Sequence, residues 1–394
     1  MDKSARRARG HCLESLEQRA LFSALPFTTQ GVDFAVGPMY ADRITNDVYV
    51  ANTTSNTIIK FDTSTGDTVG AAALASTPSA ITENKNGRRI FVSETAADQV
   101  QVIATSTMTV LKTLSLSFAP GAVTFGVGSE LYIANTTPDN NSRFDVEQYN
   151  LTSGTIIDAS VATFVYPPVL SDNKTCMRLF GIEEQDSSAN HSLQRIDIAA
   201  PTTFAVPSIP TYGYGIYNFY LAGGQGNLYS SSFGLDGIDY TKISTSAESV
   251  WNYPTGSDYC MAVTSFPGST SVYGADRLPS IIYQFDQSSG TIENSYAVGS
   301  LEGSNYALVP SDMVETANGD IFFASATIFT PFTYAVGEIG LSAINFTDDT
   351  PAVANSAQYA APAGGPQAPA GIAPADSLFA SAAVIAPADR VSLG

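Results

Sequence analysis

The chain has 394 residues, of which 44% are hydrophobic and 14% are charged, enough to bury a large core in one big all-β domain or two ordinary domains. The formal net charge of −19 at pH 7 repels phosphate backbones and argues against nucleic acid as a partner. No run of 18 apolar residues occurs in the chain, and this excludes a transmembrane helix.

The first 26 residues are predicted to be a basic leader or sorting segment. RRARGHCLESLEQRALFSA, from Arg6 to Ala24, is basic and then amphipathic, with leucines at roughly helical spacing. Its part LESLEQRALFSA resembles the LEPR-XLL segment found at the start of many planctomycete-type surface and exported proteins, with Gln18 where that family usually has proline. The resemblance implies export to the cell surface or the extracellular space. The residues alone also fit a disordered basic tail.

A phrase of alternating strands and small polar breaks recurs along the chain. Residues 46–70 read NDVYVANTTSNTIIKFDTSTGDTVG, the pattern of half-buried strands separated by turns. Similar phrases recur at intervals of about 40–50 residues, which is typical of a repeat architecture. The centres of the second strands in seven copies are Tyr49, Phe91, Tyr132, Leu179, Tyr229, Tyr273 and Phe322.

Each copy is predicted to contain four strands, which in the second copy are SAIT, RRIFVSE, QVQVIAT and TVLKTLSL. A four-stranded unit of about 40–45 residues has the size of a propeller blade. One such sheet cannot bury both of its faces alone, so blades stack radially. We therefore predict an all-β fold, a seven-bladed β-propeller of four-stranded antiparallel blades, over residues 27–359. An array of β-sandwiches is the alternative.

The repeats resemble those of the YVTN-type β-propeller family. The resemblance is carried by VYVANTTSNTIIKFDTSTGDTV and IFVSETAADQVQVIATSTMTVLKTL, in which an aromatic-centred strand is followed by a small polar loop, an apolar strand and a Thr/Ser-rich turn. It covers roughly residues 38–350. Repeats of this kind imply an architecture and leave the chemistry open.

Closure of the ring requires a strand from one end of the chain, because an open ring exposes two sheet edges. The segment Thr28–Val36 precedes the first complete repeat and is predicted to pair beside Ile339–Phe346. The alternative is that Pro351–Tyr359 completes the last blade from within.

Residues 360–394 are rich in Ala, Pro and Gly and cannot supply enough apolar surface to offset the entropy of ordering. We predict a flexible linker over Ala360–Ala375. The short apolar piece Ser377–Val391 either docks on the protein or serves as an attachment signal.

Few residues suited to catalysis are present. The two histidines, His11 and His191, form no metal cluster, and no nucleophile elbow or phosphate-binding loop occurs. The cysteines at positions 12, 176 and 260 lack zinc-ligand spacing. Cys176 and Cys260 are read as small buried hydrophobes, with pairing open in an oxidising compartment. We therefore predict no catalytic residues and no bound organic cofactor.

Two long acidic loops suggest a cation site. The loop between the second and third strands lengthens to ANTTPDNNSRFD in the third copy and to GIEEQDSSANHS in the fourth, and neighbouring blades place these loops side by side. Ca²⁺ takes six to eight oxygen ligands in flexible geometry. A solvated acidic surface is the alternative, because the EF-hand order is absent. The candidate ligands are Asp139, Asn141, Asp145, Glu183, Glu184 and Asp186, with Asn140 beside them.

Taken together, these features favour a non-catalytic, exported or cell-surface propeller that binds or scaffolds through its loops. The expected partner is a protein or carbohydrate, with Ca²⁺ as the one candidate ion, and we expect a monomer. The alternative is a propeller enzyme, a lyase or hydrolase acting on polysaccharide or a small ester, with its site at the mouth of the channel.

Overall fold

A computed structural model of the chain gives its architecture. The described residues are 27–126, 128–164, 168–172, 178–183, 190–191, 193–197, 203–205, 209–210, 219–223, 227–232, 240–244, 249–253, 260–265, 269–276, 281–297, 308–327 and 334–339. The predicted leader, residues 1–26, and the predicted tail, residues 360–394, lie outside these residues.

The first half of the described chain forms three complete sheets after a single opening strand. Strand β1 is Phe27–Val32. Sheet 1 contains β2 (Val36–Ala41), β3 (Asp47–Asn52), β4 (Thr57–Asp62) and β5 (Thr68–Ala73). Sheet 2 contains β6 (Ala80–Glu83), β7 (Arg89–Glu94), β8 (Gln99–Ala104) and β9 (Thr109–Ser115). Sheet 3 contains β10 (Pro120–Phe125), β11 (Glu130–Asn135), β12 (Phe144–Asn150) and β13 (Thr155–Phe164).

The second half continues the same pattern. Sheet 4 contains β14 (Pro168–Asp172), β15 (Arg178–Glu183), β17 (Leu193–Asp197) and β18 (Thr203–Ala205), and β16 (Asn190–His191) pairs with β19 (Ile209–Pro210). Sheet 5 contains β20 (Phe219–Gly223), β21 (Asn227–Ser232), β22 (Tyr240–Ser244) and β23 (Ser249–Tyr253). Sheet 6 contains β24 (Cys260–Thr264), β25 (Ser271–Asp276), β26 (Ile281–Asp286) and β27 (Ile292–Ala297). Sheet 7 contains β28 (Leu308–Glu315), β29 (Ile321–Thr327) and β30 (Tyr334–Ile339), with β1 beside β30.

The first strands of these sheets contact one another in cyclic order. Strand β2 contacts β6, and the contacts continue through β10, β14, β20, β24 and β28 back to β2. The pairing within each four-stranded sheet is antiparallel throughout. The prediction of an all-β chain built from four-stranded antiparallel sheets is therefore confirmed.

Strand β1 joins the beginning of the described chain to its end. Phe27 pairs with Ile339 and Val32 pairs with Tyr334 in an antiparallel register, so β1 is the outer strand of sheet 7. The predicted strand reached Val36 and lay beside Ile339–Phe346, whereas β1 ends at Val32 and pairs with Tyr334–Ile339. Val36 instead opens β2 after a bend in the chain. The alternative donor, residues 351–359, lies outside the described residues.

Apolar residues on both faces of the second strands fill the space between neighbouring sheets. In β3, residues 48–51 are all buried, because successive side chains point to opposite faces and each face meets another sheet. Tyr49 packs with Ile90 of sheet 2, while Val50 packs with Phe322 of sheet 7. Burial of each such side chain contributes about 1.5–3 kcal/mol.

Most of the predicted second-strand centres lie in this core. The buried ones are Tyr49, Phe91, Tyr132, Tyr229, Tyr273 and Phe322. The side chain of Leu179 is outside the described part of the chain. Fourth strands differ, because their side chains are largely exposed, as in β9.

Three turns between third and fourth strands, in sheets 1, 3 and 6, are held by a carboxylate or amide that caps its own turn. The Oδ1 atom of Asp286 accepts hydrogen bonds from the backbone N–H groups of Ser288 at 3.0 Å and Ser289 at 2.7 Å. Gly290 then adopts a φ of 72°, which glycine tolerates without steric cost. The Ser288 hydroxyl also donates to Asp286 Oδ1. This bond, followed by those of Ser289, lowers the pKa of Asp286 to about 2. Asp62 and Asn150 cap equivalent turns.

The described residues contain no α-helix, and Thr95–Ala97 forms one turn of 3-10 helix. Within them, no helical segment has the length and apolar character needed to cross a bilayer.

Candidate functional site on the loop face

The loops between second and third strands lie at one end of the sheets, which we call the loop face. In sheets 1 to 3 it comprises residues 53–56, 95–98 and 136–143 with the connections that enter and leave each sheet. The backbone N–H and the hydroxyl of Thr136 both donate to the carbonyl of Ala119, at 2.9 and 2.8 Å. Thr53 makes the same two bonds to Ala35, at 2.9 and 3.0 Å. Each loop is thus fixed to the segment that enters its own sheet.

The longest described loop, residues 136–143, is organised around Asp139. Its Oδ1 accepts hydrogen bonds from the backbone N–H groups of Asn141 and Arg143, both at 2.8 Å, and its Oδ2 accepts one from Asn141 Nδ2 at 3.3 Å. These donors, led by the Arg143 N–H, lower the pKa of Asp139. Ser142 completes the turn with a φ of 58°. The carboxylate therefore fixes the conformation of an exposed loop.

Asp145 is bonded to a different part of sheet 3. Its Oδ1 accepts hydrogen bonds from Ser160 Oγ at 2.6 Å and from Thr163 Oγ1 at 3.1 Å, and both donors belong to β13. Asp139 and Asp145 therefore have separate sets of hydrogen-bond partners, while Asp139 and Asn141 are directly bonded to each other.

The fourth-repeat half of the predicted calcium site lies largely outside the described residues. Glu183 is the last residue of β15, where it pairs with Pro168, and its side chain is not among those described. Glu184 and Asp186 lie outside the described residues altogether. In the parts of the chain that the structure describes, no three His, Cys, Asp or Glu side chains come together as a metal site. The calcium site stays a prediction.

Sequence reasoning missed a buried carboxyl behind this loop. Glu147 of β12 is buried, and its Oε1 accepts a hydrogen bond from Asn135 Nδ2 at 3.4 Å. Burial raises the pKa of Glu147 to about 7. The strand registers place Glu147 where sheet 1 has Ile59 and sheet 2 has Gln101. Because this position is apolar in one sheet and polar in another, the sequence alone gave no signal for a buried acid.

Glu94 organises the neighbouring loop in sheet 2. It is fully buried at the end of β7. Its Oε1 accepts a hydrogen bond from Gln99 Nε2 at 3.0 Å, and its Oε2 accepts one from the backbone N–H of Ser76. On the described part of the loop face, the carboxylates Asp139 and Glu94 both hold loops in place.

The opposite end of the sheets, which we call the turn face, carries a buried carboxyl pair between sheets 1 and 2. It comprises the turns at residues 42–46, 84–88 and 126–129 with those between third and fourth strands. Glu83 Oε2 accepts a hydrogen bond from the Arg43 backbone N–H at 2.9 Å, and its buried Oε1 has no hydrogen-bond partner among the described residues. Burial, followed by the charge of neighbouring Asp42, raises the pKa of Glu83 to about 8.

Asp42, the other member of this pair, accepts three hydrogen bonds. Its Oδ1 accepts hydrogen bonds from the backbone N–H groups of Ile44 at 2.7 Å and Thr45 at 2.9 Å, and its Oδ2 accepts one from the Tyr49 hydroxyl at 2.9 Å. Burial and the charge of Asp42 raise the pKa of Tyr49 far above its ordinary value. Both oxygens of Asp42 therefore have hydrogen-bond donors, while Glu83 holds a proton at neutral pH.

A third buried acid spans the junction between sheets 7 and 1. Asp312 of β28 accepts hydrogen bonds from the Met39 backbone N–H of β2 at 3.1 Å and from the Met313 N–H at 2.8 Å. The side chain keeps some exposed area although protein atoms enclose it deeply, and burial raises its pKa to about 7. Both oxygens of Asp312 are bonded to backbone donors of inner strands.

Several solved structures have a similar architecture. A chain of Kuenenia stuttgartiensis hydrazine synthase superimposes with a TM-score of 0.60 and 14% identity, covering 77% of this chain and 96% of that one. Virginiamycin B lyase from Staphylococcus aureus gives 0.59 and 16%, covering 79% and 99%. A streptogramin B lyase gives 0.60 and 14%, covering 80% and 98%. No protein-family description matches the sequence, and no curated protein sequence matches it either.

At these identities the likeness concerns the fold alone. Together with the cyclic contacts of the inner strands, it makes the chain a β-propeller. Propellers among its structural neighbours include enzymes, so the architecture does not decide between binding and catalysis.

Proposed function

We propose that the chain is a seven-bladed β-propeller of YVTN-type repeats that acts, exported or at the cell surface, as a non-catalytic binding or scaffolding module through its loop face. The observation that carries the proposal is the bonding of Asp139. Its carboxylate accepts three hydrogen bonds from its own loop. Such a loop is ordered before any ligand arrives, which lowers the entropic cost of recognition.

The count of seven blades is supported by the strand contacts. The inner strands β2, β6, β10, β14, β20, β24 and β28 form a closed cycle of neighbours, and each belongs to a four-stranded sheet. In a propeller, each inner strand corresponds to one blade.

The chemistry of the exposed loop residues supports a carbohydrate or protein ligand. Thr54, Ser55, Thr137 and Asn140 are exposed on the loop face, and hydroxyl and amide groups can both donate and accept hydrogen bonds. Such groups match the hydroxyls of a sugar or the backbone of a peptide. Bound Ca²⁺ would add a bridge to an acidic sugar, with Asp139 and Asn141 among the ligands.

The test is binding of the purified protein to an array of purified glycans and cell-surface polysaccharides. We expect Thr137→Ala/Asn140→Ala to weaken binding to any retained glycan, because it removes loop-face hydrogen-bonding groups. Ser106→Ala/Thr152→Ala, which changes exposed residues of the turn face, is the matched control. The assignment to the loop face would be overturned if both variants lost the same binding affinity, or if neither variant changed the affinity for a retained glycan.

A second candidate function is a propeller lyase. It is favoured by the virginiamycin B lyase and streptogramin B lyase structures, each covered almost completely by the superposition. A lyase cleaves by elimination, so its product lacks the mass of water that a hydrolase adds. Incubation with virginiamycin B, followed by chromatography and mass spectrometry, distinguishes the two reactions. Turnover that scales with protein concentration would replace the binding proposal.

A further inference from the structure

A basic turn stands out on the turn face of an otherwise acidic protein. The sequence has 18 basic against 37 acidic residues, yet NKNGRR at residues 84–89 places three basic side chains in one turn. Lys85, Arg88 and Arg89 are all exposed. Within the described residues, these three side chains make no hydrogen bond or ion pair. Their charge is therefore available at the surface.

The turn is fixed by hydrogen bonds to its own backbone. Asn84 Oδ1 accepts from the backbone N–H groups of Arg88 at 3.0 Å and Arg89 at 3.1 Å. Thr105, from the adjoining turn of sheet 2, donates its hydroxyl to the Gly87 carbonyl at 2.7 Å and its N–H to the Arg88 carbonyl at 3.2 Å. Gly87 has a φ of 66°, a conformation that glycine adopts readily. The basic side chains thus project from a rigid base.

An exposed apolar residue from sheet 1 adjoins the basic turn. Ile44 is 59% exposed, and a Cβ atom built on Gly87 would lie 3.0 Å from Ile44 Cδ1. The two turns are also connected through the Arg43 N–H and Glu83 Oε2. We call Ile44, Lys85, Arg88 and Arg89 the basic patch.

The nearest acidic groups do not neutralise this patch. Glu83 lies beneath it, but its pKa of about 8 keeps it protonated at neutral pH. Asp42 is buried and bonded to Tyr49 and two backbone N–H groups. Asp47 forms an ion pair with Lys60 at 2.7 Å. Within the described residues, none of these three acids therefore forms an ion pair with Lys85, Arg88 or Arg89.

We propose that the basic patch is a docking site for an acidic peptide segment of a partner protein, with carboxylates on Arg88, Arg89 and Lys85 and an apolar side chain on Ile44. Guanidinium groups bind carboxylates through paired hydrogen bonds. A short segment fits best, because charge is screened beyond about 8–10 Å at physiological salt. A long polyanion would run onto the acidic remainder of the surface, and a second copy of the chain would bring a further −19.

The experiment measures binding of a fluorescein-labelled peptide, Glu-Asp-Glu-Leu-Asp-Glu-Glu, by anisotropy at low and physiological salt. Arg88→Gln/Arg89→Gln should weaken binding about tenfold or more, since hydrogen bonds between charged groups are among the strong ones. Ile44→Ser should weaken it by a smaller factor, and replacing the leucine of the peptide by serine should remove that difference. Lys112→Gln is the matched control for Arg88→Gln, because it removes one exposed charge elsewhere.

Four results would overturn the proposal. They are no peptide binding up to about 1 mM, equal weakening by Lys112→Gln and Arg88→Gln, tighter binding of a heparin oligosaccharide through the same arginines, and a dimer in sedimentation that Arg88→Gln/Arg89→Gln dissociates. The site is on the opposite end from the loop face, so these results are independent of the function proposed above.

Discussion

Asp139 and Glu83, at opposite ends of the propeller, are carboxyl groups in opposite environments. Asp139 on the loop face is exposed, accepts three hydrogen bonds, and has a lowered pKa. Glu83 on the turn face is fully buried, receives one backbone hydrogen bond, and has a pKa of about 8. Backbone donors favour the charged form and burial disfavours it. The same chemical group therefore orders a loop at one end and carries a proton at the other.

The pH dependence of stability differs in sign between the two groups. The contribution of Asp139 is present above the ordinary pKa of aspartate and is lost as pH falls through its lowered value. Glu83 binds its proton more tightly in the folded state, so its contribution is complete below about pH 4.5 and is lost as pH rises to about 8. Asp312 and Glu147, each with a pKa of about 7, act in the same direction as Glu83.

The ring of sheets is closed by the pairing of β1 with β30, and a truncation that removes β1 opens it. Deleting residues 1–32 removes β1 and its six residue pairs with β30, so we expect a loss on the order of 3–5 kcal/mol in the free energy of unfolding, from about 1 kcal/mol per hydrogen bond. Urea unfolding measures it, with deletion of residues 361–394 as the control. Similar losses in both would indicate that residues 351–359 complete sheet 7.

Replacing Glu83 tests the turn face. Glu83→Gln keeps the shape of the protonated side chain but cannot ionise, so it should stabilise the protein at pH 9 relative to wild type, by about 3–5 kcal/mol at 1.4 kcal/mol per pKa unit. At pH 4.5 the two proteins should differ little. Urea unfolding across pH 4.5–9 provides the measurement. Asp98→Asn, a change at an exposed acid, should leave the slope of stability against pH unaltered.

If Glu83→Gln and wild type show parallel slopes of stability against pH, Glu83 does not hold its proton and the contrast between Glu83 and Asp139 fails.

Removing the hydroxyl donor to Asp42 tests the hydrogen bonding of the Asp42–Glu83 pair. Tyr49→Phe leaves Asp42 Oδ2 without its hydroxyl donor, which should destabilise the protein by about 1–3 kcal/mol. Tyr149→Phe is the control, because the Tyr149 hydroxyl has no hydrogen-bond partner among the described residues. Thermal unfolding at pH 7 compares them. Equal effects would mean that the Tyr49 hydroxyl adds nothing to the pair.

Added Ca²⁺ tests the loop face, and we expect it to change stability less than the substitutions above. Ligand binding stabilises the folded state by RT ln(1 + [L]/Kd), or about 2.7 kcal/mol at a hundredfold excess over Kd, and partial occupancy gives less. Melting in millimolar Ca²⁺ should exceed melting in EDTA for wild type and for Asp33→Ala, an exposed control. The difference should disappear in Asp139→Ala. Stabilisation that survives Asp139→Ala would place the ion elsewhere.

Sequence predicted the repeats better than the site. Alternation around Tyr49, Phe91 and Tyr132 identifies strands because period-two burial leaves a direct trace in the sequence. Alternation does not reveal whether an acid such as Glu83 or Asp312 lies near water or deep between sheets. That depth depends on which sheets become neighbours, and Asp312 contacts Met39 across more than 270 positions of the chain.

The predicted calcium ligands show the same difficulty on the loop face. Loop length and acidity grouped Asp139 with Asp145, but local hydrogen bonds give them different partners. A carboxylate can cap its own loop or bind an ion. The sequence does not distinguish the two roles, because both occur in short polar segments rich in Asn and Ser.

The pairing of β1 with β30 also has a consequence for how the protein is made. Residues 27–32 are synthesised before their hydrogen-bond partners at residues 334–339 and before all the sheets that lie between them in the chain. Intervening sheets can form from local hairpins while the first strand has nothing to pair with. The ring can therefore close only after β30 has been synthesised, and until then β1 has unpaired backbone groups that another chain could bind.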